Sequence, residues 1–246
     1  MEGHKIFPSR APAAPRVPSP LSSAVQALAA LAYPALCAGC DRRVGDDALL
    51  CDACLPRLPR PAPDEADATV ARWPPAERPA RVVALWRYDS GGTVQRLQHA
   101  LKYHGRTRAA RPLGVLLGQA ARADAALAPV DAVVPVPLSR PRELERGYNQ
   151  AAVLGEGVAE ALGVPLQPGW LVRTRATQSQ ARLRATERRA NVDGAFAASP
   201  DLSGRHVLLV DDVLTTGATL AAATAACAAA GASVSAAVLA LADRGV

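Results

Sequence analysis

From about Ala80 to the end of the chain, short apolar runs alternate with stretches of helical periodicity, and no other feature restricts the fold so severely. The runs are VVALWRY, AVVPVPL, GWLVR, HVLLVDDV and SVSAAVLALA. The helical stretches are TVQRLQHALKYHG, RPLGVLLGQAARADAAL, NQAAVLGEGVAEALG and ATLAAATAACAAAG. Runs with little polar alternation suit strands buried on both faces, and strand–helix alternation is how a parallel sheet is covered on both sides. The expected fold class is therefore α/β, a mostly parallel sheet with flanking helices over residues 80–246. Half of the 246 residues are apolar but only 4% are aromatic, so Ala, Leu and Val must fill the core. Sheets of this kind hold ligands at the carboxyl ends of their strands.

The first eighty residues follow a different pattern. Residues 1–20 contain five prolines without apolar periodicity and are expected to form a disordered tail. Ser22–Ala32 suits a short helix that stops before Tyr33-Pro34. The apolar stretch 21–36 is too short and too interrupted to span a bilayer and no small-residue cleavage site follows it, so a cytoplasmic location is expected. Next comes CAGCDRRVGDDALLCDAC, with two CxxC pairs, Cys37/Cys40 and Cys51/Cys54, ten residues apart. Two such knuckles complete a tetrahedral four-thiolate shell for Zn2+, and a shell closed by four protein ligands supports folding and not catalysis. Disulfides and a redox-active CxxC are the competing readings; a cytoplasmic chain does not keep the first, and the second does not need a doubled motif. A small N-terminal zinc-ribbon module is thus expected over 21–58. The following segment, 59–79, combines dense proline with an acidic knot, and reads as an interdomain linker without regular elements. Cys227, in an Ala-rich helix, is expected to be a buried apolar residue.

VLLVDDVLTTGAT, residues 207–219, joins an apolar strand to a hydroxyl-rich helix start. At such a start the backbone N–H groups have no internal partners and the helix dipole is positive, which stabilises an anion. Gly217 allows close backbone approach, while Thr215, Thr216 and Thr219 add uncharged donors. Asp211 and Asp212, ending the strand, would repel that anion, so their natural partners are sugar hydroxyls or a divalent cation farther along the same ligand. The stretch therefore describes a molecule with a phosphate at one end and a diol in its middle. The patterns GxxxxGK[ST] and GxGxxG are absent.

These residues resemble the ribose 5-phosphate loop of type I phosphoribosyltransferases, which hold phosphoribosyl pyrophosphate with Mg2+. The chain more narrowly resembles the ComF family, competence-associated and phosphoribosyltransferase-like. The likeness runs from Leu31 to the end through the cysteine module, ALKYHG, PVPLS, RGYNQ, QARL followed by Arg188 and Asn191, and GAF. It implies a type I phosphoribosyltransferase-like fold, with Asp211, Asp212 and Arg146 as the catalytic set. Thr215, Thr216, Gly217, Ala218 and Thr219 are implied as the phosphate loop, and Ser139 and Arg140 as further donors in the stretch that cradles pyrophosphate. Residues 171–196, rich in arginine and poor in apolar side chains, read as a mobile arm that cannot pack a core. In related transferases the equivalent stretch closes over the substrate, with Gln180, Arg188 and Asn191 as candidate contacts.

The net charge of +6 comes almost wholly from arginine: of 28 basic residues only Lys5 and Lys102 are lysine, leaving 26 arginines. Arginine forks suit phosphate. His99 and His104 lie on an amphipathic helix and receive no role. The position where some resembling enzymes carry a basic aspartate in this loop is Thr215. Transfer to an unknown acceptor therefore stands beside a second reading, a non-catalytic DNA-uptake protein that contacts single-stranded DNA or a helicase partner, with self-association open in either case.

Overall fold

A computed structural model describes residues 35–103, 107–174 and 194–242. The tail expected over 1–20, the helix expected over Ser22–Ala32, and Gln180, Arg188, Asn191 and His104 lie outside the described residues. The strands are β1 (Val82–Arg87), β2 (Ala132–Pro135), β3 (Leu171–Arg173), β4 (Phe196–Ala198), β5 (His206–Leu214) and β6 (Ser233–Leu241). The α-helices are α1 (Glu65–Val70), α2 (Thr93–Tyr103), α3 (Thr107–Ala123), α4 (Arg140–Arg146), α5 (Gln150–Leu162) and α6 (Ala218–Ala229).

Four strands form a wholly parallel sheet in the order β1-β6-β5-β2. Its central strand shows why these runs lack polar alternation. Val207 and Leu209 face one core, Leu208 and Val210 the other, and all four are fully buried. Leu113, Leu117, Leu154 and Val158 of α3 and α5 cover one face; Leu220, Ala223 and Cys227 of α6 cover the other. Cys227 is indeed fully buried.

Helices α3 and α5 touch at backbone distance. A Cβ built on Gly114 would lie 2.1 Å from the Leu154 carbonyl oxygen, and one on Gly157 would lie 2.2 Å from that of Arg111. The glycines in LGVLLG and GEG therefore set the thickness of this layer.

The arm read as unable to pack a core is anchored at both ends. Leu171–Arg173 and Phe196–Ala198 pair as an antiparallel ribbon apart from the main sheet, with Leu171 and Phe196 buried. Leu171, opposite Ala198, and Phe196, opposite Arg173, seat the two ends, which average polarity conceals.

The segment 59–79, read as a linker without regular elements, carries α1 and a 3-10 turn at Pro75–Glu77. Ala66 and Val70 are buried. Arg81 locks the segment in place: its Nη1 lies 2.6 Å from Asp64 Oδ1 and also meets Asp67, while its Nε bonds Asp124 Oδ2 at 2.8 Å. Proline density marked the turns correctly, but ion pairs across 14 to 43 residues hold them on the sheet. Arg81→Met leaves three neighbouring carboxylates without their shared cation. Denaturant titration is expected to show a loss of about 3 kcal/mol, the scale of breaking a buried pair, and protease is expected to nick 59–79 faster. An unchanged midpoint and cleavage rate would show the segment to be a free spacer.

The cysteine module is no separate body either. Cys37, Leu49, Leu50 and Leu58 join the same core as Val94, Leu97 and Leu101 of α2. Arg96 of α2 donates to the Gly39 carbonyl at 3.0 Å. Helix α2 begins under a carboxylate cap, Asp89 accepting from the N–H groups of Thr93, Val94 and Gln95. No helix among the described residues is long and apolar enough to cross a membrane.

Candidate functional site

A cavity of about 310 Å³ opens at the carboxyl ends of β2 and β5. After β2 the chain passes through the short α4 into α5, and after β5 into α6; α5 and α6 cover opposite faces of the sheet, so the chain parts here and leaves a crevice. One wall is Val136–Leu138 with Arg142 and Arg146; the other is the run Asp211–Leu220. Lys102 and Arg173 complete the lining, giving four cationic side chains against two carboxylates.

Strand β5 continues past the point where the sequence placed its end, because Asp211 and Val213 stay in register with Val238 and Ala240 of β6. The two carboxylates thus project from within β5, just past its last pair with β2 and still alongside β6, and not from a loop. Thr215 and Thr216 lie in the bend that follows. Gly217 takes φ +77 before α6, whose first residues are Ala218 and Thr219. A Cβ on Gly217 would meet Trp73 Cζ2 at 1.9 Å, so the indole from the 59–79 segment lies directly on the loop backbone.

The two aspartates sit in different electrostatic surroundings. Burial and the neighbouring Asp212 push the Asp211 carboxyl up to about 8. Asp212 shares the burial, but the Lys102 ammonium, with its Nζ 2.8 Å from Asp212 Oδ2, outweighs it and holds that carboxyl below the usual range. Asp211 Oδ1 accepts the Asp212 backbone N–H at 2.8 Å. Burial, with the charge of Arg142 beside it, lowers the Arg173 pKa, while Asp211 opposes the shift. Cations crowded together in this way form a wall that an anionic ligand would relieve.

Each residue of RGYNQ has a place. Arg146 lines the cavity and donates from Nη1 to Gln150 Oε1 at 2.8 Å. Gly147, at φ +77, ends α4. Tyr148 donates its hydroxyl to the Leu101 carbonyl. Asn149 caps α5 by accepting from Ala151 N–H at 3.0 Å and donates to the Val136 carbonyl at 3.0 Å, tying the helix start to the cavity wall. Ser139 is buried at the start of α4, and Arg140, the first residue of that helix, is exposed; neither lines the cavity. Arg142, two residues on, does line it. The short helix RPRELER turns Arg142 and Arg146, one turn apart, toward the crevice.

Lys102 and Arg173 were not singled out from sequence. For Lys102 the available signal was helical spacing: Gln98 and Lys102 are four apart and flank the stripe of Val94, Leu97 and Leu101. Both reach Asp212, Gln98 donating to its carbonyl at 3.3 Å. No local signal marks Arg173, which the β3–β4 ribbon delivers.

The four cysteines form a second constellation. Their Sγ atoms all lie within 4.8 Å of one another, and Cys40 and Cys51 are 3.7 Å apart. A tetrahedron with the usual zinc–sulfur distance has an edge of roughly 3.8 Å, so the set fits a tetrahedral ion. The N–H groups of Gly39 and Cys51 each point at Cys37 Sγ from 3.3 Å. Burial alone would raise that thiol, but these bonds hold it down, to about 6, favouring the thiolate a metal needs. A Cβ at Gly39 would lie 2.7 Å from Cys54 Sγ, so the knuckle requires glycine there.

A family model described as the phosphoribosyl transferase domain matches residues 149–245. The chain is 34% identical over 195 residues to a DNA utilization protein YhgH of Salmonella typhimurium, covering 78% of this chain and 83% of that protein. Over 93 residues, 37% of this chain and 41% of the relative, it is 40% identical to competence protein F of Haemophilus influenzae. Among solved structures, a glutamine phosphoribosylpyrophosphate amidotransferase from B. subtilis, complexed with ADP and GMP, matches at 24% identity and a TM-score of 0.37. That match covers 53% of this chain and 26% of the other. The extent and identity of the YhgH match, with the phosphoribosyl transferase domain carrying the cavity loop, show that the chain belongs to the ComF family of phosphoribosyltransferase-like proteins.

Proposed function

We propose that the crevice between β2 and β5 binds phosphoribosyl pyrophosphate or a related ribose 5-phosphate ligand. The observation that carries this reading is one cavity lined at once by the Gly217 helix start, the aspartate pair and the arginines 142, 146 and 173. The 5-phosphate sits at 215–219, where the start of α6 and its dipole meet it. The diol faces Asp211 and Asp212, and the diphosphate lies against the arginines, whose forks match its oxygens. Anchoring the remote phosphate orients the anomeric carbon. In transfer, the bond from that carbon to the diphosphate breaks, the diphosphate leaves with the electron pair, and an acceptor nucleophile bonds to the carbon. Among the described lining residues no third carboxylate or histidine stands ready as a base.

The four cysteines are assigned to structural zinc. Mg2+, expected with the ligand from the family resemblance, meets a poor donor set at the aspartates. Asp212 is already neutralised by Lys102, and Asp211 is pushed toward its protonated form. The reading therefore rests on the chain's own groups, the helix start, the aspartates and the cationic side chains, and not on the metal.

Calorimetric titration with phosphoribosyl pyrophosphate tests it. Wild type is expected to bind, and Asp211→Asn combined with Asp212→Asn to weaken binding by at least about tenfold, the loss of one or two charge-assisted bonds to the diol. Equal heats from both proteins would remove the assignment.

The relatives' names, a DNA utilization protein and a competence protein, fit a second reading, a non-catalytic role in DNA uptake; single-stranded DNA, a helicase partner and self-association are the arrangements it would take. On the cysteine module, however, the exposed Arg42, Arg43, Arg57 and Arg60 are balanced by exposed Asp41, Asp46, Asp47 and Asp52, so no basic stripe runs across it. DNA binding whose affinity falls steeply with salt would support this reading; its absence leaves the sugar phosphate.

A further inference from the structure

Lys102 is the sole lysine among the described residues, in a chain whose 28 basic residues are all arginine except it and Lys5. It lies on the cavity wall, its Nζ 2.8 Å from Asp212 Oδ2, with both side chains largely buried. The placement is built. One turn earlier on α2, Gln98 bonds the Asp212 carbonyl, and Tyr148 holds the carbonyl of Leu101. A helix is thus docked on Asp212 by its side chain and its backbone together. An ammonium is a compact charge with three donors, so it can keep Asp212 and still reach a ligand oxygen from the same position. A divalent ion added at this carboxylate would have to displace the ammonium or stand against it as a like charge.

We propose that Lys102 is a positioning residue that serves as the resident counter-cation of Asp212 and meets the diol end of the ligand, so that the ribose 5-phosphate moiety is held without a divalent metal. This rests on the ribose 5-phosphate reading of the crevice and extends it. The role normally given to a metal at such a carboxylate pair is carried by a side chain that α2 delivers from more than a hundred residues upstream. Any dependence on a divalent ion then belongs to the diphosphate of the larger ligand, not to the sugar.

The probe is ribose 5-phosphate, which lacks the diphosphate. Binding is measured by calorimetry in buffer stripped of Mg2+ over chelating resin, so that the cysteine cluster keeps its ion, and again with excess Mg2+. Wild type is expected to bind equally in both, within about threefold. Lys102→Met is expected to lose about tenfold or more without Mg2+, the scale of one charge-assisted bond, and to recover most of it when Mg2+ is added. Lys102→Arg is expected to fall between, since the fork cannot take the same position. Wild-type binding that needs Mg2+, or Lys102→Met binding like wild type in stripped buffer, overturns the role of Lys102 alone. The wild-type comparison needs no variant and holds even should Lys102→Met fold poorly. No ribose 5-phosphate binding by wild type in either buffer overturns this inference together with the reading beneath it.

Discussion

Stripping the zinc proposed for the four-cysteine cluster is expected to lower the melting temperature by roughly 10–20 °C and to weaken binding of the proposed sugar phosphate in a cavity that the cysteines do not touch. The first effect follows from the energy of a structural zinc site, on the order of 10 kcal/mol in isolated peptides. If only about half of that is lost in the intact chain, a domain of this size moves by some 2–4 °C for each kcal/mol. The second effect follows from shared packing. Cys37, Leu49 and Leu50 are buried with Val94, Leu97 and Leu101, so losing the knuckles unseats α2. That helix carries Gln98 and Lys102 to Asp212. Metal analysis, thermal melts and calorimetry before and after chelation, with Cys37→Ser as the genetic counterpart, read all three quantities. A metal-free protein with an unchanged melt would show that the cluster is held by packing alone. A lowered melt with intact ligand affinity would confine the ion to the module.

Gly157→Val is expected to be among the most damaging single changes outside the cysteines. A Cβ there meets the carbonyl oxygen of Arg111 at 2.2 Å and the amide nitrogen of Val115 at 2.5 Å. Both are backbone atoms in α3 and cannot rotate away, so the two helices must separate. Separation opens the layer over all four strands of the sheet and lifts the start of α5, where Asn149 and Gln150 tie Val136 and Arg146 to the crevice. A cost of about 3 kcal/mol or more is expected, the upper part of the overpacking range, against a total stability of roughly 5–15 kcal/mol. Gly169→Ala is the control: nothing lies within 4 Å of its Cβ, and its effect should stay within about 0.5 kcal/mol. Chemical denaturation of the two variants compares them directly, and similar midpoints would mean that α3 and α5 can slide apart freely.

Much of the molecule was legible before any coordinates. The strand–helix alternation predicted the parallel sheet, the two CxxC pairs predicted one cluster, and VLLVDDVLTTGAT predicted a helix start beside two carboxylates. Each of these signals is local: apolar periodicity, turn chemistry and ligand spacing act within a dozen or so residues. Where local rules were extended too far they misled. Proline density in 59–79 suggested a spacer, while Arg81 and Trp73 bind the segment to the sheet and to the Gly217 loop. Low average hydrophobicity in 171–196 hid the two residues that seat its ends, Leu171 and Phe196.

By itself, then, the sequence determined the main strands and helices after Ala80, the cysteine cluster and the loop that lines the cavity. The strand order, the crossing of α3 over α5 and the crevice between β2 and β5 were decided only by the tertiary structure. So was the charge of the site: Lys102, the pair Arg142 and Arg146, and Arg173 come from three separate stretches of chain, and they surround the aspartates only because the fold brings these stretches to the carboxyl ends of the sheet. An ion pair such as Lys102 with Asp212 leaves no periodic trace in the chain, since its partners are joined by packing across 110 residues and by no local rule.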